Sequence, residues 1–85
     1  MFLHTEYVEP RSGYKLFVQF NNGISGEIDL SNALWGEVFE PLHDEALFMT
    51  AKQDAIMGTV VWDNGADFAP EYLFELYTQQ SGLAA

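Results

Sequence analysis

A chain of 85 residues suffices for one domain and not for two. Hydrophobic residues make up 48% and aromatics 15%, which excludes a disordered chain and supplies large side chains for a small core. Thirteen acids against three bases leave a formal charge of −10; Arg11, Lys15 and Lys52 cannot by themselves form the cationic patch that a phosphate backbone or an anionic membrane surface requires.

Phe2 to Val8 reads as a first strand, and Glu9 to Gly13 as a turn punctuated by Pro10 and Gly13. Tyr14, Leu16, Val18 and Phe20 then alternate with Lys15, Phe17 and Gln19, the pattern of a half-buried strand. Beyond Asn21-Asn22-Gly23, Ile24, Gly26, Ile28 and Leu30 alternate in the same way. Register decides the turn between them. A two-residue loop would set Phe20 against Ser25, whereas a three-residue loop, Asn21 to Gly23, sets Phe20 against Ile24 and Leu16 against Ile28. Only the second puts the apolar positions on one face, and it needs a left-handed residue, with a bulge, where Gly23 stands.

Ser31 is expected to cap a short helical turn through Trp35, stopped by Gly36. Val38 to Leu42 reads as irregular, and Asp44 as the cap of a short helix, Glu45 to Met49. Thr50 to Asp54 and Thr59 to Trp62 read as strands around a turn at Ala55 to Gly58. Asp63-Asn64-Gly65 repeats the turn chemistry of Asn21-Asn22-Gly23, each after an aromatic. Pro70 suits the first position of a closing helix, with Leu73, Leu76 and Tyr77 at helical spacing. Residues 1–80 thus form one α+β domain: a small antiparallel sheet with two hairpins, short helical turns in the middle and a C-terminal helix packed on the sheet. Residues 81–85 read as a frayed tail.

The run Trp62-Asp63-Asn64-Gly65-Ala66-Asp67-Phe68-Ala69-Pro70-Glu71-Tyr72-Leu73 resembles the closing pattern of a prokaryotic family, domain of unknown function 2442. Phe39-Glu40-Pro41-Leu42-His43-Asp44, ending at Phe48, is similar to its middle pattern, and Phe20-Asn21-Asn22-Gly23 to its hairpin. Asp63 stands where many relatives carry Pro. The resemblance implies a small α+β fold and no activity. It also implies relatives of two kinds. Some are fused to a helix-turn-helix domain; others are lone domains encoded beside a second small protein, as in two-component or toxin–antitoxin-like systems.

The segment Asp63 to Glu71 gathers three carboxylates, an amide and a Trp beside it. A calcium loop fails on spacing, because the third position from Asp63 is Gly65 and the sixth is Phe68. The structural reading has Asn64-Gly65 as a turn, Asp67 accepting N–H groups at the start of the Pro70 helix, and Trp62 in the core. The functional reading makes this rigid turn a binding surface, with Trp62, Asn64, Asp67 and Glu71 as its candidates. Trp35 and Phe39, with Leu42 and Phe48, either close one face of the sheet or form an exposed docking patch. The short last strands offer edges for strand addition.

His4 and His43 are isolated, cysteine is absent, and no nucleophile or zinc spacing occurs. No catalytic residue, metal or cofactor is therefore expected, nor a thiol or a disulfide. Met1 to Glu9 has neither a basic start nor an apolar run, and no stretch approaches a membrane span. The expectation is a cytoplasmic, non-enzymatic protein-interaction module, which the resemblance would make the partner or antitoxin-like component of a two-gene system; the charge favours a basic protein partner, homo-oligomers remain open, and neither nucleic acid nor membrane is bound directly. The alternative is a small-ligand sensor akin to domains fused to helix-turn-helix regulators.

Overall fold

Side-chain parity sets the register of the first two hairpins. In the computed structural model, which describes residues 2–82, β1 (Thr5–Arg11), β2 (Lys15–Phe20) and β3 (Ser25–Asp29) pair antiparallel in that order. Val18 faces Gly26, Leu16 faces Ile28, and the Phe20 N–H donates to the Ile24 carbonyl at 2.8 Å. This is the register of the three-residue loop. Gly23 takes φ 87°, where a side chain would be strained. Leu16, Val18, Phe20, Ile28 and Leu30 are wholly buried on the shared face, each worth about 1.5–3 kcal/mol of apolar burial.

The second Asn-Gly turn is built bond for bond like the first. Gly23 N–H donates to Phe20 O at 3.2 Å, and Gly65 N–H to Trp62 O at 2.9 Å. Ile24 N–H donates to the Asn22 carboxamide at 3.0 Å, and Ala66 N–H to that of Asn64 at 3.1 Å. Both glycines take φ 87°. The aromatic ahead of each turn, Phe20 or Trp62, is buried.

A 3-10 turn (Glu40–His43) and a short helix α1 (Glu45–Phe48) follow the sheet. Asp44 caps α1 as expected, its carboxylate accepting from Ala46 N–H at 3.0 Å. β4 (Lys52–Asp54) and β5 (Thr59–Val61) form a separate two-stranded sheet, and α2 (Pro70–Ser81) closes the chain. Pro70 opens α2 from an extended Ala69, and the left-handed Gly82 ends it. The class is α+β.

Helix α2 lies on the three-stranded sheet. Its Phe74 meets Phe20 edge-on at 5.1 Å, and Tyr77 covers Gly26 so closely that a Cβ there would sit 2.3 Å from the ring. Glutamines seal strand margins. The Gln80 carboxamide both accepts from and donates to the backbone of Asp29, at 2.8 Å each. Gln53 donates to Thr5 O at 2.7 Å and receives the Thr5 hydroxyl, which joins β4 to the start of β1.

Several local expectations give way. β1 starts at Thr5, not Phe2, and runs through Pro10 to Arg11; the turn is Ser12 to Tyr14. β1 ends the strand order of its sheet, where a proline removes no ladder bond. Ser31 caps no helical turn. Its N–H is taken by the Asp29 carboxylate at 2.9 Å, and the chain makes a single turn before running irregularly to Gly36. Part of the Val38 to Leu42 stretch is the 3-10 turn, and Thr50, Ala51 and Trp62 lie outside the strands. Asp67 does not cap α2, which has no side-chain cap; Asp67 bridges Val61 instead. The last strands offer no open edge of the kind expected: β4 packs beside β1, and β5 lies between β4 and Asp67. Ser81 is helical, while the remainder of the expected tail, Leu83 to Ala85, lies outside the described residues.

Candidate interaction site

The aromatic side chains around the second Asn-Gly turn are held by backbone bonds on both sides. The Trp62 indole donates to the Phe48 carbonyl at 2.9 Å and is buried. The Thr59 hydroxyl donates to Phe68 O at 2.5 Å. Phe68 thereby lies against the edge of Trp62 at 5.8 Å, with Tyr72 at 5.4 Å and Phe39 stacked flat on it at 4.3 Å. Asn64 uses both ends of its amide: it accepts from Ala66 N–H and donates to Val38 O at 3.1 Å. That second bond ties the turn to the loop carrying Trp35 and Phe39.

These constraints leave an apolar groove of about 180 Å³ lined by Ala33, Trp35, Phe39, Phe68 and Tyr72. Trp35 stands at its margin 73% exposed, unlike the buried Leu42 and Phe48 with which it was grouped in sequence. A second hollow, about 450 Å³, adjoins it through Ala33 and Tyr72 and continues past Leu76 to Gln80, Asn32 and Asp29. The Asp29 carboxyl is held below the usual carboxylate range by the Ser31 N–H and then by the Ser31 hydroxyl.

Of the six candidate residues, Trp35 and Phe39 line the groove, Trp62 and Asn64 support it from within, and Asp67 and Glu71 flank Phe68 and Tyr72 in sequence. Phe68 and Tyr72 were missed as lining residues. Their four-residue spacing was the available signal, but Pro70 between them marks a helix start and hides that they share a side.

Acidic residues adjoin the lining in the chain. Glu37 and Glu40 lie on either side of Phe39, and Glu75 follows Tyr72 by three residues on α2. Two of the three bases are elsewhere. On the far face of the sheet Arg11 bonds Glu9 and Glu27, at 3.1 Å each, and lies over Phe17. Lys15 faces Asp29 across β2 and β3, and Lys52 lies 3.6 Å from Asp63. His43 contacts Leu34 O at 2.7 Å and His4 contacts Asn21 at 3.1 Å. Among the described residues no three His, Cys, Asp or Glu are grouped to hold a metal ion, and no helix is long and apolar enough to cross a membrane.

Residues 6–79 match the family described as protein of unknown function, DUF2442. The chain belongs to this family. No curated protein is significantly similar to it. Among solved structures, the crystal structure of a candidate DNA-binding protein from Nitrosomonas europaea superposes with a TM-score of 0.82 at 23% identity, over 96% of this chain and 53% of that one. This DUF2442 chain thus spans about half the length of that protein and shares its fold. The finding corrects the expectation that excluded nucleic acid: the same fold occurs in a candidate DNA-binding protein. Net charge cannot carry that exclusion, because it describes this chain's own surface and leaves open what a protein of the same fold contacts.

Proposed function

We propose that this DUF2442 chain is a non-enzymatic protein-interaction domain that serves a DNA-binding assembly and engages its partner through the Trp35 groove. The exposed Trp35 carries the reading. A large aromatic left in water beside an apolar hollow contributes little to folding and much to association, where Trp is a favoured anchor. The groove walls are braced by stacking and by the Asn64 bonds, so a partner meets a surface already in shape. The DNA-binding context is supported by the fold neighbour, of which this chain covers about half.

Photo-cross-linking in the native cells tests this. A photoreactive phenylalanine analogue is placed at position 35 or, as a control, at Met49, which is exposed outside the groove. The expected result is one protein adduct from position 35 only, and that protein, with this chain bound, should shift duplex DNA in a gel. Equal labelling from both positions, or none from position 35, would refute the groove.

A further inference from the structure

We infer that the occupant of the groove is a cationic amphipathic helix of a partner protein, an assignment that rests on the proposed groove and names its ligand. One wall of the hollow is helical. Tyr72, Leu76 and Gln80 recur every four residues along one side of α2, and such a row packs into the groove of a second helix. From Tyr72 to Gln80 the helix rises about 12 Å, the length of roughly two turns of an occupant. The lining is graded along that length. Trp35, Phe39, Phe68 and Tyr72 make one end apolar, while Asp29, Asn32 and Gln80 make the other polar. An occupant must therefore carry apolar anchors on one turn and polar side chains on the next.

The charge sets its sign. Glu37, Glu40, Asp67, Glu71 and Glu75 neighbour the aromatic end in the chain or on α2, with no base among them. Arg11 is bonded to Glu9 and Glu27 on the opposite face of the sheet, Lys52 is beside Asp63, and Lys15 faces Asp29 at the polar end, away from the aromatic one. A Lys- or Arg-bearing helix gains from this rim; an anionic one is repelled. A second copy of this chain would bring another −10 and is disfavoured on the same ground.

Three synthetic peptides of about 16 residues, roughly four turns, test the assignment. They share one apolar face, and their flanks are Lys/Arg, Gln or Glu. Binding is measured by calorimetry and by the two indole N–H resonances of the full chain; buried Trp62 serves as the internal control for exposed Trp35. The Lys/Arg peptide should move the Trp35 resonance and bind about tenfold tighter than the Gln peptide at low salt. That gap should close near 1 M salt, where screening acts within about 3 Å. The triple variant Glu37→Gln, Glu40→Gln, Glu71→Gln should narrow it while leaving the Gln peptide's affinity unchanged. Equal binding of the peptides would overturn the cationic assignment and leave the groove standing. A Trp35 resonance that no peptide moves, or sedimentation showing a dimer that Trp35→Ala dissolves, would overturn it too. The groove itself is judged separately, by the cross-link from position 35.

Discussion

Replacing Gly26 with alanine tests how tightly α2 is set on the sheet. The backbone there is not left-handed, so an alanine is conformationally welcome and by itself would stabilise by about 0.4–1 kcal/mol. Space opposes it. The added Cβ would lie 2.3 Å from Tyr77 Cε1, 3.1 Å from Cζ and 3.2 Å from Cδ1, against an ordinary carbon contact of about 3.5–4.0 Å. The ring must retreat by more than ~1 Å, and overpacking of this kind destabilises by about 1–3 kcal/mol. The difference is a net loss of about 1–2 kcal/mol. At about 4–8 °C per kcal/mol, the midpoint of thermal unfolding should fall by about 5–15 °C. Denaturant unfolding of the two single variants and the pair Gly26→Ala, Tyr77→Ala completes the cycle. Once the ring is gone, Gly26→Ala should change sign and stabilise. An equal loss with and without Tyr77 would refute the contact.

The two tryptophans should separate cleanly in urea titrations. Trp35→Ala is expected to change stability by no more than about 0.5 kcal/mol, while Trp62→Ala loses about 3–5 kcal/mol and leaves the Phe48 carbonyl with the Ala51 N–H as its remaining donor. Similar losses would contradict the placement of both. The twin turns predict paired behaviour. Gly23→Ala and Gly65→Ala should each lose about 1–2 kcal/mol, but Asn64→Ala should lose about twice as much as Asn22→Ala, because only Asn64 also holds Val38. Equal losses at the two asparagines would deny that second bond. Glu9 is held below its ordinary pKa by the Tyr7 hydroxyl and then by Arg11. Its stabilisation is thus present above the unfolded carboxylate pKa and lost as pH falls through the depressed folded value. Glu9→Gln should be the less stable protein at pH 7 and match the wild type near pH ~2; a difference that survives in acid would exclude this origin.

What could be read before folding, and what could not, divides by physical cause. Strands β2 and β3 were legible because one apolar face leaves a single workable register, and a misplaced loop would have turned Ser25 inward. Asp44 and Pro70 were legible because capping and helix entry are chemistry of one residue. The stretch from Ser31 to Phe39 was not. It has no period, and its course is set by the Asp29 carboxylate holding Ser31 and by the reach of Asn64 across to Val38. Pro10 was misread for a related reason: it forbids a central strand but not an outer one, and strand order is a property of the whole sheet. The site was half visible. Trp35 and Phe39 were selected, but whether an aromatic faces core or water depends on what arrives opposite it. Phe68 and Tyr72 came into view only once α2 had been placed. The exclusion of nucleic acid did not stand, since a sum of charges reports this chain's surface alone while the same fold occurs in a candidate DNA-binding protein.

The clasp between Gln80 and Asp29 has a consequence for proteostasis. It occupies both backbone groups of Asp29 on the strand that ends the three-stranded sheet, so β3 cannot recruit a foreign chain there until the last turn of α2 peels away. Strand addition at Asp29 is thus gated by local melting of the last turn of α2 rather than by global unfolding. Conditions that fray the end of α2 should seed polymerisation long before the core comes apart.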